Sequence, residues 1–435
     1  MLELIDGRDQ VTPVHIKRPR AVGSASQAEQ SARAIVEDVR LRGDAALVDY
    51  AARLDRASLT PDRLRVEPTE ILEARNLVRP ELLEALQVMI DRLRTTCEAQ
   101  RLTAWLDERD DEFVGELIRP LRRVGIYAPG GRAAYPSSVI MAAVPAQVAG
   151  VEGITVCSPP RPHGEVAEAV LAACAVAGVD EVYRVGGAQA IAALAYGTES
   201  VRPVEKVVGP GNAYVTFAKR AVQGWVGTDS EAGPTEVAIV ADETADPRVL
   251  AADLIAQAEH GPHGTHVLIT WIPELLEATD EHLDGTVAMH ERPDDVENAL
   301  IEGGRGVLVR DLRHALETAN AFAPEHLQLC FAGAFDALDD IRNAGSVFVG
   351  RYSPVPVGDY VGGTNHVLPS GGSARWASGL GLADFVKRIY VSGYEPAAIQ
   401  RLLPHVQALS EAEGLPGHAR ALQVRLDEHR ASTPG

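Results

Sequence analysis

From Arg122 onward the chain alternates short apolar runs with helical stretches: ITVCS, EVAEAVLAACAVAG, EVYRV, AQAIAALAYG, EKVVG and NAYVTFAKRAV follow in that order. A strand that is apolar on both faces has to be covered on both. A parallel sheet wound with crossover helices does this, so the pattern restricts the fold sharply. A second series follows, with EVAIVAD, VLAADLIAQAEH, THVLIT, GVLVR, RHALETANAFA, LQLCFAG and SVFVG. The expected class is α/β with two doubly wound sheets, which fits 435 residues at roughly 100–200 per domain.

Upstream, residues 26–54 and 68–102 carry amphipathic patterns, such as Leu82, Leu83, Leu86, Met89, Ile90 and Leu93, that predict helices packed on one face. After Gly350 the stretch RYSPVPVGDYVGGTNHVLPSGGSAR has no period and is rich in Gly, Pro and Ser. An irregular segment of that length inside a compact protein is usually functional. From Trp376 the pattern is read as helical to the end.

The 41 Lys plus Arg against 61 Asp plus Glu leave a net charge of −20, a field that repels phosphate backbones, so nucleic acid is not an expected partner. The most apolar run, Val139 to Val151, is broken by Pro145 and Gln147 and falls short of the roughly 20 residues of a bilayer span; no membrane partner is expected. The opening MLELIDGRDQ lacks a basic and then apolar leader pattern, and a cytoplasmic protein is expected. Cys97, Cys157, Cys174 and Cys330 lie far apart without a CxxC, so they read as small buried hydrophobes. Any metal then needs harder ligands.

Four constellations carry possible chemistry. Gln257 and His260 close a helical segment at a spacing of three, on one face of its last turn; His263 and His266 repeat that spacing and offer an all-histidine alternative. Glu325 and His326 sit where a helix gives way to a strand and pair a carboxyl with an imidazole that titrates near neutrality. Asp359 and His366 lie in the glycine-rich loop, and Glu413 and His418 in the C-terminal helical region. For a dinucleotide, Gly209-Pro-Gly211-Asn212 lies between a strand and a helix without the third glycine of the usual fingerprint. The turns Gly125–Gly131 and Val185–Ala190 offer further backbone amides.

Taken together, GIYAPGGRAAYPSSVIMAAVPAQVAGV, VGGAQAIAALAYGT, KVVGPGNAYV, AGPTEVAIVAD, LIAQAEHGPHG, FAPEHLQL, VGDYVGGTNHVLP and EGLPGH resemble the histidinol dehydrogenases. The resemblance implies a homodimer of two Rossmann-like domains, with small N-terminal and helical C-terminal segments that intertwine and sites shared across subunits. The expected division is an arm at 1–22, a first domain of 23–123 and 237–375, a second of 124–236, and a helical dimer segment of 376–435.

The same resemblance implies one zinc ion per subunit on Gln257, His260, Asp359 and His418, the last from the partner subunit. It implies Glu325 and His326 as the proton-transfer pair, and Tyr127, Gln189 and Asn212 as NAD contacts. L-histidinol would meet Thr235, His366 and Glu413 besides the metal ligands and His326. Thr235 stands where these proteins usually have Ser and keeps the hydroxyl. The implied reaction oxidises L-histidinol through a bound aldehyde to L-histidine with two NAD. His326 serves as base and Glu325 activates a water, since no cysteine lies in a nucleophile motif. A relative acting on another small polyol is the nearest alternative.

Overall fold

The structure is a computed structural model that describes residues 1–19, 24–130, 134–230 and 233–432. Three residues of the GIYAPGG motif region (131–133), Ala232 of AGPTEV and the expected domain boundary at 22/23 lie outside the described residues. The strands in chain order are β1 (Glu3–Asp6), β2 (Trp105–Arg109), β3 (Glu112–Pro120), β4 (Arg123–Tyr127), β5 (Gly153–Ser158), β6 (Glu181–Arg184) and β7 (Lys206–Val208). They continue as β8 (Gly227–Thr228), β9 (Glu236–Ala241), β10 (Thr265–Thr270), β11 (Gly304–Leu308), β12 (His326–Cys330), β13 (Ser346–Val349) and β14 (Val386–Tyr394).

Two sheets are wholly parallel. One runs β6-β5-β4-β7-β8; the other runs β1-β11-β10-β9-β12-β13. Counted from β4 and from β9, both follow the order 3-2-1-4-5 of a Rossmann-type sheet, and β1 adds an edge strand to the larger one. The mixed α/β class with parallel sheets is as the alternation predicts. The reason shows in β9: Val237, Ile239 and Ala241 enter one apolar core, with Leu250, Leu254 and Leu268, while Ala238 and Val240 enter another, with Val267, Ile269 and Leu327. Side chains alternate between faces at a period of two, so two buried faces demand an unbroken apolar run.

The grouping of segments differs from expectation in three places. Helices at Ser24–Arg42 and Asp44–Tyr50 share their core with the five-stranded sheet, through Val36, Leu47, Ile191 and Leu194, whereas 23–123 was expected to join the domain of 237–375. Residues 101–120 are not part of that body either. With 386–435 they form a compact unit separate from residues 1–100 and 121–385. Within that second unit β14 pairs antiparallel with β3 over nine residues, so the segment from 376 is not all helical; only Pro396–Ala412 and Pro416–Ser432 are long helices there. Each difference rests on pairing between distant parts of the chain, which local periodicity does not encode.

Among the described residues no helix is long and apolar enough to cross a membrane. The apolar run around Pro145 is the helix Pro136–Ala149, buried on nearly every side.

Candidate active site

Adjacent parallel strands place the first group. β9 and β12 pair with His326 opposite Val237, so Thr235 and Glu236 lie beside Glu325 and His326 at the amino ends of both strands. The helix Leu312–Phe322 ends at Ala323, whose φ of 54° turns the chain sharply into β12. Thr235 Oγ1 and the Glu236 backbone N–H both donate to Glu325 Oε2, each at 2.8 Å. The Glu236 carbonyl accepts from His326 Nδ1 at 2.9 Å. With Nδ1 committed as donor, the neutral ring presents Nε2 as its basic nitrogen, and Nε2 is buried with no hydrogen-bond partner among the described residues. The nearest charge to it is Asp359 Oδ1, at 3.4 Å.

Electrostatics tune this pair. Burial pushes the Glu325 carboxyl up to about 7, against the pull of His326 and the two hydrogen bonds on Oε2. For His326, burial disfavours the charged ring, but the carboxylates of Glu325 and Asp359 and the Glu236 carbonyl outweigh it and raise the ring above its ordinary value. The carboxyl and imidazole titrate as a coupled pair suited to proton transfer.

Asp359 comes from the irregular segment, on the helix Val355–Tyr360. Gly358 lets that helix close on the strand: a Cβ there would lie 2.4 Å from the Phe348 ring, and Phe348 in turn packs beside His326 with centroids 6.0 Å apart. His366 Nδ1 donates to the Asp359 carbonyl at 2.6 Å, and Asn365 Nδ2 donates to the Met141 carbonyl at 2.7 Å, which ties the segment to the helix after β4. Burial favours the neutral Asp359 acid, yet the imidazoles of His326, His366 and His260 hold the carboxyl below its ordinary value.

Gln257 is buried in the last turn of the helix Pro247–Ala258; its Nε2 donates to Thr235 Oγ1 and lies 3.4 Å from His326 Nδ1. His260 follows, exposed, in the turn after the helix. Gln257 and Asp359 flank the His326 imidazole, and His260 lies near enough to Asp359 for its charge to act on that carboxyl; an amide, a ring nitrogen and a carboxylate are donor types that suit zinc. Among the described residues no three His, Cys, Asp or Glu groups form a complete metal site. The all-histidine alternative is not assembled, because His263 Nδ1 bonds Glu302 Oε1 at 2.7 Å and His266 is fully buried, where desolvation drops its ring to about 4. Glu413 and His418 belong to the second compact unit, both exposed.

The second group lies at the carboxyl ends of the smaller sheet, around the β4/β7 switch point where Rossmann-type folds bind ligands. Tyr127 ends β4, and its hydroxyl accepts from the Gly187 N–H at 3.1 Å. Gln189 stands in the first turn of the helix Gly187–Tyr196, with a buried Oε1 that has no partner among the described residues. Asn212 caps the helix Ala213–Val222, its Oδ1 accepting from Tyr214 and Val215, so its Nδ2 remains for a ligand. An orphaned acceptor beside a helix start fits a dinucleotide's hydroxyl and phosphate groups.

Sequence reasoning missed Glu236, whose backbone orients both Glu325 and His326. The signal was a charged residue opening an otherwise apolar strand; its carboxylate is engaged by Arg18 and is almost fully buried. Phe348, the ring on which Gly358 closes to set Asp359, was also missed.

The histidinol dehydrogenase family model matches residues 18–426. A histidinol dehydrogenase of Gluconobacter oxydans is 46% identical over 399 residues, covering 91% of this chain and 92% of that protein. One of Moorella thermoacetica is 43% identical over 98% of this chain and all of its own length. The crystal structure of histidinol dehydrogenase from Elizabethkingia anophelis superposes with a TM-score of 0.90 at 34% identity, covering 99% of each chain. This chain belongs to the histidinol dehydrogenase family, the NAD-dependent oxidoreductases of histidine biosynthesis.

Proposed function

We propose that the chain converts L-histidinol through L-histidinal to L-histidine in two oxidations, with Glu325 and His326 moving the protons. One zinc ion per subunit would be held by Gln257, His260, Asp359 and His418 of the partner subunit. The observation that carries this reading is the unpartnered, buried His326 Nε2 aimed toward Asp359, with its tautomer fixed from behind by Glu236.

When bound, zinc supplies a Lewis-acidic anchor for the imidazole and amine nitrogens of histidinol. When bound at Tyr127, Gln189 and Asn212, NAD supplies the hydride acceptor for each oxidation. His326 Nε2 takes the hydroxyl proton as the carbinol carbon gives up hydride. Glu325 then takes a proton from the water that attacks the aldehyde carbon, and His326 takes the hydroxyl proton of the hydrate in the second oxidation. Thr235 keeps Glu325 aimed, His366 holds the Asp359 segment, and Glu413 pairs with the substrate ammonium. Thiol attack is disfavoured: all four cysteines are buried, and desolvation pushes Cys97 up to about 11 and Cys174 and Cys330 up to about 12. The net charge of −20 favours a cationic small substrate over nucleic acid.

The test is NADH formed per histidine by purified protein, before chelation, after it and after zinc add-back. Two NADH per histidine, lost on chelation and restored by zinc, is expected. Mixing His418→Ala with His326→Asn subunits should restore some activity in verified heterodimers; none restored would overturn the shared site.

A further inference from the structure

The turn opening the helix Gly187–Tyr196 is ringed by three buried polar atoms that have no partner among the described residues: Asp55 Oδ2, Ser158 Oγ and Gln189 Oε1. The glycines there measure how close they lie. A Cβ on Gly186 would sit 2.5 Å from Pro159 Cβ and 3.5 Å from Asp55 Oδ1; one on Gly187 would sit 2.8 Å from Gln189 Oε1; one on Gly130 would sit 3.0 Å from Ser158 Oγ. Buried polar groups are almost always paired within a fold, so three unpaired ones at one strand-end cluster need a reason outside the fold's own stability. Burial alone pushes the Asp55 carboxyl up to about 6, with no cation to offset it.

Asp55 reaches this place through edge pairing. It ends the short helix Ala51–Asp55, Arg56 turns the chain with a φ of 58°, and Leu64 and Val66 then bond the free edge of β6 (Arg184 N to Leu64 O, Val66 N to Val182 O, each 2.8 Å). In a sheet of order 3-2-1-4-5, the acid that accepts from a dinucleotide's ribose normally stands at the end of the second strand. Here that strand is β5, which ends in Ser158 and Pro159, and Asp55 comes in beside Pro159 from far upstream in the chain.

We propose that Asp55 is the ribose-binding carboxylate of the dinucleotide site, accepting from the 2′-hydroxyl with Ser158 Oγ alongside, and that it sets the preference for NAD over NADP. This rests on the reading of Tyr127, Gln189 and Asn212 as NAD contacts. A 2′-phosphate would meet the Asp55 carboxylate at a place where no cation pairs with it, so repulsion adds to the lost hydrogen bond.

The experiment is calorimetric titration of the zinc-loaded protein with NAD and with NADP, for the unmodified chain, Asp55→Asn, Asp55→Ser and Gln189→Ala, with melting curves in the absence of nucleotide. The unmodified chain should bind NAD more tightly than NADP. Both Asp55 variants should bind NAD about tenfold more weakly and NADP no more weakly than before, the loss of one charged hydrogen bond. Their melting temperatures should match or exceed that of the unmodified chain, since an unpaired carboxylate has been removed. An unchanged NAD to NADP ratio in both variants, with Gln189→Ala still weakening NAD, overturns the role of Asp55 alone. A lowered melting temperature in both, with that same unchanged ratio, assigns Asp55 to structure. No NAD binding by the unmodified chain overturns the underlying placement of the cofactor as well.

Discussion

His326 Nδ1 lies 2.9 Å from the backbone carbonyl oxygen of Glu236, and this contact decides which ring nitrogen can act as the base. Because the carbonyl belongs to the neighbouring strand, the tautomer is fixed by the sheet itself rather than by a mobile side chain.

His326→Asn keeps a donor toward Glu236 but has no basic nitrogen. General-base catalysis contributes about 10²–10⁴-fold, so both oxidations should slow by about that factor while zinc content stays near that of the unmodified chain. Separate single-turnover measurements with histidinol and with histidinal would check this. A normal rate in either step would remove His326 from that step.

Glu325→Gln retains the hydrogen bond from Thr235 but abolishes the carboxylate proposed to activate water. Aldehyde oxidation is expected to fall by about 10²-fold or more, and alcohol oxidation by much less. Accumulation of free histidinal during turnover is the direct readout, and equal loss in both steps would contradict the division of labour.

Thr235 sits between Glu325 and Gln257, giving its proton to one and accepting from the other. Thr235→Ser preserves both bonds and should leave kcat within a few-fold. Thr235→Ala leaves two buried groups short of a partner, at a cost of roughly 1–3 kcal/mol, and should lower both the aldehyde-oxidation rate and zinc affinity by about tenfold or more. Full zinc affinity in Thr235→Ala would show that Gln257 is positioned without it.

A pH dependence of stability is expected at Glu181 in β6. Its burial favours the neutral acid, but the hydrogen bond and charge of Arg123, the Tyr183 hydroxyl at 2.9 Å and Arg202 at 2.9 Å prevail and hold it at about 2, below the usual 4.5. A depressed carboxyl contributes fully above pH 4.5 and loses its contribution as pH falls toward 2, because the unfolded chain then binds the extra proton. Denaturant titrations across that window should show about one proton fewer taken up on unfolding in Glu181→Gln than in the unmodified chain. An identical slope would mean that Glu181 titrates normally.

The residues of the candidate site differ in how far sequence alone reveals them. Glu325 and His326 announce themselves by their position between a helix and a strand, and the helix–turn setting of Gln257 and His260 is plain from the glycine and proline that follow. Glu236 is not legible in that way. It acts through its peptide group, which any residue possesses, and only its position beside β12 gives that peptide a role. Asp55 is hidden for a similar reason: in sequence it ends an unremarkable amphipathic helix.

What the sequence by itself determined is the succession of elements and the residue types available for chemistry. Apolar runs, helical periodicity and glycine or proline stops act between near neighbours, and near neighbours are written side by side. Tertiary structure alone decided that the helices of residues 24–50 cover the smaller sheet, that β14 joins β3, and that β9 lies against β12 so that Thr235, Glu236, Glu325 and His326 meet. Those outcomes depend on backbone hydrogen bonds and buried surfaces shared between distant segments. Many alternative pairings satisfy the same local pattern, and the one adopted is selected by the packing of the whole.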